Sequence, residues 1–335
     1  MVIDLVQRLL QALAQPFQVE GHELFVTASI GVAFFPNDGA NAATLIKYAD
    51  IAMYQAKARG KNCYCLFTSD LGERISYLRQ LEGNLRQAVA NGEFAVYFQP
   101  KVSPAPTTLV GAEALVRWQR GDGTLVSPVD FIPLAEETGL IVPLGEQVLE
   151  QTCQVLSRLN SQGQRHLRLS VNLSPLQFLQ SDLVQRILAI LDRYQIDPQQ
   201  IELEITETAM MSNLAKSVAT IDALVAAGLS IAIDDFGTGY SSLSYLKRFP
   251  IRTLKIDRSF IRDIISDQND AQLVETIILM AHNLGITVVA EGVETEAQLH
   301  WLQSRGCQQI QGYYFSHPLA AEAFVAYVEA FQDSG

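Results

Sequence analysis

Two carboxylates stand side by side at Asp234 and Asp235, directly after the apolar run Ile231 to Ile233 and before a Gly-Thr-Gly turn and a serine pair. Like charges at a strand end repel at close range and lose hydration, so such a pair needs a partner. Asp and Gly are also ordinary turn residues, and this stretch alone reads equally well as a strand-to-loop turn. Similar groups recur, however, at the ends of other strand-like segments: Glu113, Asn172, Glu204, Lys255, Glu291 and Gln311. A polar layer inside a barrel would explain one or two of them. One lysine cannot neutralise the whole set, whereas divalent cations can. Hard oxygen donors without histidine suit Mg²⁺ or Mn²⁺ rather than zinc. An adjacent carboxylate pair can serve two metals about 3.5–4 Å apart, the arrangement used for phosphoryl displacement. In that reading Asp234 bridges two ions, Asp235 holds the second, and a metal-bound water is the nucleophile.

The strands that must present these groups show in the alternation of faces. In IELEITE the apolar face is Ile201, Leu203 and Ile205, which turns Glu202, Glu204 and Thr206 inward. In LSVNLS the outward face is Leu169, Val171 and Leu173, leaving Asn172 inside. Ile231 and Ile233 leave Asp234 inside, and Leu254 and Ile256 leave Lys255 and Asp257 inside. Glu113 shares a face with Gly111 and Leu115, Glu291 with Val289, and Gln311 lies opposite Ile310.

Strand-like runs fall at 94–102, 109–117, 168–173, 201–206, 230–234, 253–257, 286–291 and 309–314, with helical patterns between most of them. Ser127, Pro128 and Asp130 read as N-cap, first-turn proline and first-turn acid of one such helix. Eight strands alternating with helices over about 240 residues predict an α/β fold, a TIM-like (β/α)8 barrel with its site at the strand C-terminal ends. An open doubly wound sheet is the weaker alternative, because no Gly-rich phosphate loop follows the first strand. Ahead of the barrel, 2–14 reads as a helix, Phe17–Val19 and Leu24–Phe35 as two strands, and 63–67 as a last strand. Residues 41–58 read as a helix burying Leu45, Ile46, Ala49, Ala52, Met53 and Ala56, capped by Gly60. Residues 69–92 read as one connecting helix with Ile75, Leu78, Leu81, Leu85 and Val89 on one face. The division is therefore 1–68, 69–92 and 93–335.

The 335 residues carry a formal charge of −12, which argues against a long nucleic acid partner but not against a small phosphorylated substrate offset by metal ions. Hydrophobic residues make up 48%, enough for a substantial core. The four cysteines are expected to be reduced, which points to a cytoplasmic setting. No apolar run reaches the ~18 residues of a membrane span, and no signal peptide is expected. Trp118, Phe236 and Tyr240 could stack on a base or simply pack, the five histidines show no ligand spacing, and Glu136-Glu137 reads as a solvated helix face.

Two resemblances sharpen this. SIGVAFFPNDG at 29–39 and YADIAMYQAKARGKN at 48–62 resemble the second half of a GGDEF (diguanylate cyclase) domain. The signature that names that family is absent, so residues 1–68 are not expected to act as a cyclase. Their sheet, lacking its usual partners, is expected to pack on a second chain or to be poorly ordered. Residues 75–330 resemble an EAL domain, the cyclic-di-GMP phosphodiesterase family, through EAL at Glu113-Ala114-Leu115, FQP at 98–100 and VNLSP at 171–175. ELEITET at 202–208, DDFGTGYSSL at 234–243, LKIDRSFI at 254–261, AEGVET at 290–295 and QGYYFSHP at 311–318 follow in order.

That resemblance implies metal-dependent hydrolysis of cyclic-di-GMP to linear pGpG, with two Mg²⁺ or Mn²⁺ ions. It implies Glu113, Asn172, Glu204 and Asp234 on one ion, and Asp234 with Asp235 on the other. Glu291 would position or deprotonate the water, Gln311 orient it, and Lys255 contact the water or the scissile phosphate. Arg117 would hold a phosphate, and Gln99 and Asp257 would contact the substrate. Glu207 and Glu294 would steady loops, Glu207 coupling the metal site to a homodimer through the barrel. The alternative is a silent receptor that binds cyclic-di-GMP without cutting it. Such receptors typically lack a metal ligand or have a disrupted loop after the double Asp, and both are intact here.

Overall fold

The structure, a computed structural model, describes residues 2–19, 22–24, 26–58, 62–211, 213–237, 246 and 248–333. The chain divides into two compact units at Asn84/Leu85, a point inside the helix Ser69–Asn91.

In the N-terminal unit the helix Val2–Leu13 is followed by an antiparallel pair, Phe17–Val19 with His22–Leu24. A separate parallel pair joins Ile30–Val32 to Tyr64–Leu66. The expected single strand from Leu24 to Phe35 is thus two strands in different sheets. The helix Ala42–Ala58 lies on Ile30–Val32 so closely that a Cβ on Gly31 would meet the Ala49 carbonyl oxygen. Ala52 and Ala56 are buried there with Cys65, and Tyr48 stacks on Phe67 at 4.0 Å. Ile46, expected in the buried stripe, is 70% exposed, because the contact face runs through Ala52 and Ala56 one side of it. The expected cap at Gly60 lies outside the described residues.

The C-terminal unit is a closed barrel. Its strands are β1 (Phe94–Pro104), β2 (Thr107–Gln119), β3 (Arg168–Asn172), β4 (Ile201–Thr206), β5 (Ser230–Phe236), β6 (Thr253–Ile256), β7 (Thr287–Ala290) and β8 (Gln309–Gln311). They pair in chain order, and β8 returns to β1. From β2 to β8 every pairing is parallel. β1 departs from the regular (β/α)8 plan by running antiparallel to both neighbours. The cause is the short link between Pro104 and Thr107: it closes a hairpin and leaves no room for the crossover helix that a parallel pair requires.

The outward faces build one continuous core. Ile201, Leu203 and Ile205 of β4, Ile231 and Ile233 of β5, and Leu254 and Ile256 of β6 are all buried against the helical layer. That layer includes the helices Ile141–Ser161, Leu183–Tyr194, Leu214–Ala226, Gln268–Asn283 and Ala321–Asp333. The helix Pro128–Glu137 begins as expected, with Ser127 at the N-cap and Pro128 at N1, although the Ser127 side chain makes no cap hydrogen bond. Trp118 is fully buried between Phe94 and Phe131, with its Nε1 donating to Glu93, and Phe236 is buried too. Both are packing residues. Tyr240 lies outside the described residues.

The segments after β7 and β8 touch backbone to backbone. Val293 N–H donates to the Gln311 carbonyl at 3.2 Å, and Tyr314 N–H donates to the Val293 carbonyl at 3.0 Å. A Cβ on Gly312 would sit 2.0 Å from the Val293 oxygen. Only glycine allows that approach, and backbone cannot yield as a flexible side chain can. Gly312→Ala should therefore lower unfolding stability by roughly 2–4 kcal/mol in urea denaturation. A variant as stable as the parent would show that the two segments are not held this closely.

Candidate active site

The inward faces of the strands deliver charge in two layers. In the deeper one, Lys101 of β1 places its Nζ 2.6 Å from Ser170 Oγ, 2.6 Å from Glu204 Oε1 and 3.4 Å from Glu202 Oε1. Glu202 also accepts from Ser170 at 2.8 Å and from Thr253 at 2.6 Å. All five side chains are buried. Ser170 and Glu202 are register partners on β3 and β4, so the alternation that hides Glu202 also hides its partner.

One step toward the strand C-termini, Lys255 of β6 stands among four carboxylates. Its Nζ contacts Glu204 Oε2, and lies 2.6 Å from Glu291 Oε1, 3.0 Å from Asp234 Oδ1 and 3.3 Å from Glu113 Oε2. Glu113 accepts from Asn172 Nδ2 at 2.6 Å and from Gln311 Nε2 at 2.7 Å. Gln311 also donates to Gln99 Oε1 at 3.1 Å, and its own Oε1 is buried without a hydrogen-bond partner among the described residues. Seven of the expected residues, Gln99, Glu113, Asn172, Glu204, Asp234, Glu291 and Gln311, thus join one network with Lys255.

Asp235 adjoins it through a break in the strand. The β5–β6 register shifts between Ile233 and Phe236, and Asp235 has φ +53°, the left-handed region that non-glycine residues rarely enter. Its N–H donates to Asp234 Oδ1 at 3.0 Å. At this irregularity Asp234 is buried and Asp235 is exposed. Asp257 caps the helix Arg258–Arg262 by accepting from Ser259 N–H at 3.0 Å. Its charge still reaches Asp235.

The remaining expected residues lie apart from the Lys255 network. Arg117 donates to the Val116 carbonyl at 2.9 Å and lies over the Tyr97 ring at 5.9 Å. It lines an open groove with Leu115, Pro128, Ile132, Glu136 and Asn172. Glu136, expected on a solvated face, is half-buried in that groove, and burial raises its carboxyl above the ordinary value. Glu207 is buried at the start of the short helix Glu207–Met211 and finds no hydrogen-bond partner for either oxygen among the described residues. Glu294 is exposed, with its N–H donating to Gln298 Oε1 at 2.9 Å. Of the loop at 235–243 expected to couple the site to a dimer, residues 238–243 lie outside the described residues.

Sequence reasoning counted one lysine in this set, and Lys101 is a second. It lies two residues after Gln99 on one strand, so the alternation already applied elsewhere would have found it. Burial works against every charge here. It raises Glu113, with the Glu204 charge adding to it, and it raises Asp234 and Asp235. Glu291 is pushed up to about 8 by burial, only partly countered by Lys255. Burial also opposes the charged form of Glu204, but Lys101 and Lys255 outweigh it and hold Glu204 down at about 2. Two lysines thus leave a surplus of buried carboxylate. Among the described residues no three His, Cys, Asp or Glu side chains converge as a ready-made metal cage, since the acids gather around the Lys255 ammonium. The donor set nevertheless fits Mg²⁺ or Mn²⁺: every donor is oxygen, and the excess is anionic.

This surplus has a pH signature. Glu291 is raised from 4.5 to about 8, so the stability tied to its neutral form is complete below pH 4.5 and is lost as pH climbs through 8. The metal-free protein should lose several degrees of melting temperature between pH 5 and pH 8.5, and added Mn²⁺ should reduce that loss. Calorimetry in EDTA checks it, and a melting temperature that rises over this window would contradict the assignment.

Comparison with known proteins agrees with this geometry. The family model "EAL domain" matches residues 82–318, and "Diguanylate cyclase, GGDEF domain" matches residues 1–63. The bifunctional diguanylate cyclase/cyclic di-GMP phosphodiesterase MucR of Pseudomonas aeruginosa is 41% identical over 324 residues, 97% of this chain and 47% of that protein. The cyclic di-GMP phosphodiesterase NbdA of the same organism is 40% identical over 328 residues, 98% of this chain and 42% of its own length. The chain spans less than half the length of these relatives. A solved structure described as the PaMucR phosphodiesterase in complex with c-di-GMP superposes with a TM-score of 0.71 at 42% identity, covering 73% of this chain and 99% of that one. With a barrel of this topology and a family match over 82–318, the chain belongs to the EAL domain family.

Proposed function

We propose that the barrel hydrolyses one phosphodiester of cyclic-di-GMP to give linear pGpG. The observation that carries this reading is Glu291, a half-buried carboxylate 2.6 Å from the Lys255 ammonium beside a set of acids too numerous for their lysines. The substrate class is supported by relatives that are named as cyclic di-GMP phosphodiesterases.

Glu113, Asn172, Glu204 and Asp234 would hold one divalent ion, and Asp234 with Asp235 a second. Bound there, Mg²⁺ or Mn²⁺ would offset phosphate charge and acidify a water. The chain's own residues supply the rest. Glu291, held 2.6 Å from the Lys255 ammonium, is placed to receive the proton released as water oxygen bonds to phosphorus. The P–O3′ bond breaks, leaving a 5′-phosphate on one nucleotide and a 3′-hydroxyl on the other. Lys255 is a donor-only ammonium, suited to a phosphate oxygen or the departing oxygen. Gln311 Oε1, left without a partner, can accept from the attacking water while its Nε2 remains on Glu113. The groove between Arg117 and Ile132 offers apolar walls for a guanine base and one cation for a phosphate. Asp257, beside Asp235, is in reach of substrate polar groups at the mouth. Glu207 and Glu294 are assigned to the loops around the site, and the homodimer through the barrel belongs to the same proposal.

Glu291→Gln keeps size and hydrogen bonding but cannot take a proton. It should bind cyclic-di-GMP about as tightly as the parent while turnover falls at least ~100-fold. Joint collapse of affinity and turnover would make Glu291 a structural residue instead. Asp234→Asn removes the carboxylate assigned to both ions, and turnover at matched Mn²⁺ should fall by ~100-fold or more with the fold intact. Near-normal hydrolysis would exclude the bridging role.

A further inference from the structure

The deeper layer assigns a role to a residue that the chemistry at the mouth does not use. Lys101 is 2% exposed and sits opposite Gly111, well below the mouth. Its Nζ holds Glu204 Oε1 at 2.6 Å, with Ser170 Oγ at 2.6 Å and Glu202 Oε1 at 3.4 Å. The other oxygen of the same carboxylate, Glu204 Oε2, contacts Lys255. The two lysines are not equivalent. Lys255 is shared among Glu113, Glu204, Asp234 and Glu291, all near the mouth. The ammonium of Lys101 is committed to Glu202, Glu204 and Ser170 in the interior.

We propose that Lys101 is a positioning residue, clamping Glu204 through Oε1 so that Oε2 stays presented to the divalent-ion site when Lys255 turns to the substrate. This rests on the reading of Glu204 as a ligand of Mg²⁺ or Mn²⁺. A carboxylate with one oxygen fixed from below offers the other in a single orientation. Without the clamp it can rotate away or protonate. Partners that orient ligands in this way commonly contribute 10- to 100-fold to metal affinity.

Simple counter-charge predicts the opposite sign. Removing a cation near an acidic site strengthens its attraction for another cation, so Mn²⁺ should bind more tightly without Lys101 if charge balance were its whole role. Positioning predicts weaker binding.

The experiment is Mn²⁺ titration of the whole chain by electron paramagnetic resonance, with melting curves alongside, for the parent, Glu202→Gln, Lys101→Met and the double variant Lys101→Met/Glu202→Gln. The double variant removes one buried charge of each sign, so it keeps the interior balance that Lys101→Met alone disturbs. Glu202→Gln leaves the Lys101–Glu204 pair in place and should bind Mn²⁺ within about threefold of the parent, whereas the double variant should bind about 10- to 100-fold more weakly while still melting cooperatively. Mn²⁺ binding by the double variant equal to or tighter than the parent's would overturn the proposal. So would loss of the folded barrel in both Lys101 variants, which would make Lys101 a folding residue. A parent chain that binds no Mn²⁺ would remove the metal reading itself, and the inference with it.

Discussion

The barrel depends on a charge imbalance in its own interior. Glu113, Glu202, Glu204, Asp234 and Glu291 point into a space shared with Lys101 and Lys255. A buried carboxylate without a partner is costly, and the protein relieves the cost unevenly. Glu204, held by both lysines, stays ionised down to about 2, while Glu291 is driven up to about 8. The difference is built by geometry: Glu204 lies between the two ammonium groups, and Glu291 stands just beyond β7 and meets only the shared one. Two carboxylates pushed apart in this way suit different tasks, and the proposed reaction uses Glu204 as a fixed anion and Glu291 as the proton acceptor.

The fold exists to hold that imbalance. The outward faces of β4 to β6 are aliphatic and buried against helices, so the strands cannot slip by one residue without turning acids into the core. The inverted β1 adds what a parallel strand in its place would set differently. Running antiparallel, it sets Gln99 opposite Glu113 near the mouth and sends Lys101 downward. The close backbone contact at Gly312 fixes the segments that carry Glu291 and Gln311 relative to each other. Asp235 takes a left-handed conformation at the register shift of β5, directly after the buried Asp234.

Much of this was legible in the sequence because face alternation is a hard geometric rule. Asn172, Glu204, Asp234, Lys255 and Gln311 are each placed inward by their apolar neighbours, and all join the network. Lys101 lies just beyond the FQP motif, where the same period of two continues from Gln99. The direction of β1 does not appear in a hydrophobic pattern at all, only in the short connection to β2. Asp235 is named in the sequence only by its place beside Asp234: alternation sends it outward, and the structure leaves it exposed at the register shift. Glu136 looked solvated because an adjacent acid pair usually is, and one helix face happens to border the groove. In the N-terminal unit Leu24–Phe35 was read as one strand, since composition does not reveal that the chain leaves one sheet before entering another.

In the proposed reaction this acid set directs water onto phosphorus. Incubation of the chain with cyclic-di-GMP and Mn²⁺ in ¹⁸O-labelled water, followed by mass analysis of the separated products, tests it most directly. Linear pGpG with one heavy oxygen on its 5′-phosphate is the expected product. Recovery of the unchanged cyclic dinucleotide, or of a linear product without the label, would contradict it.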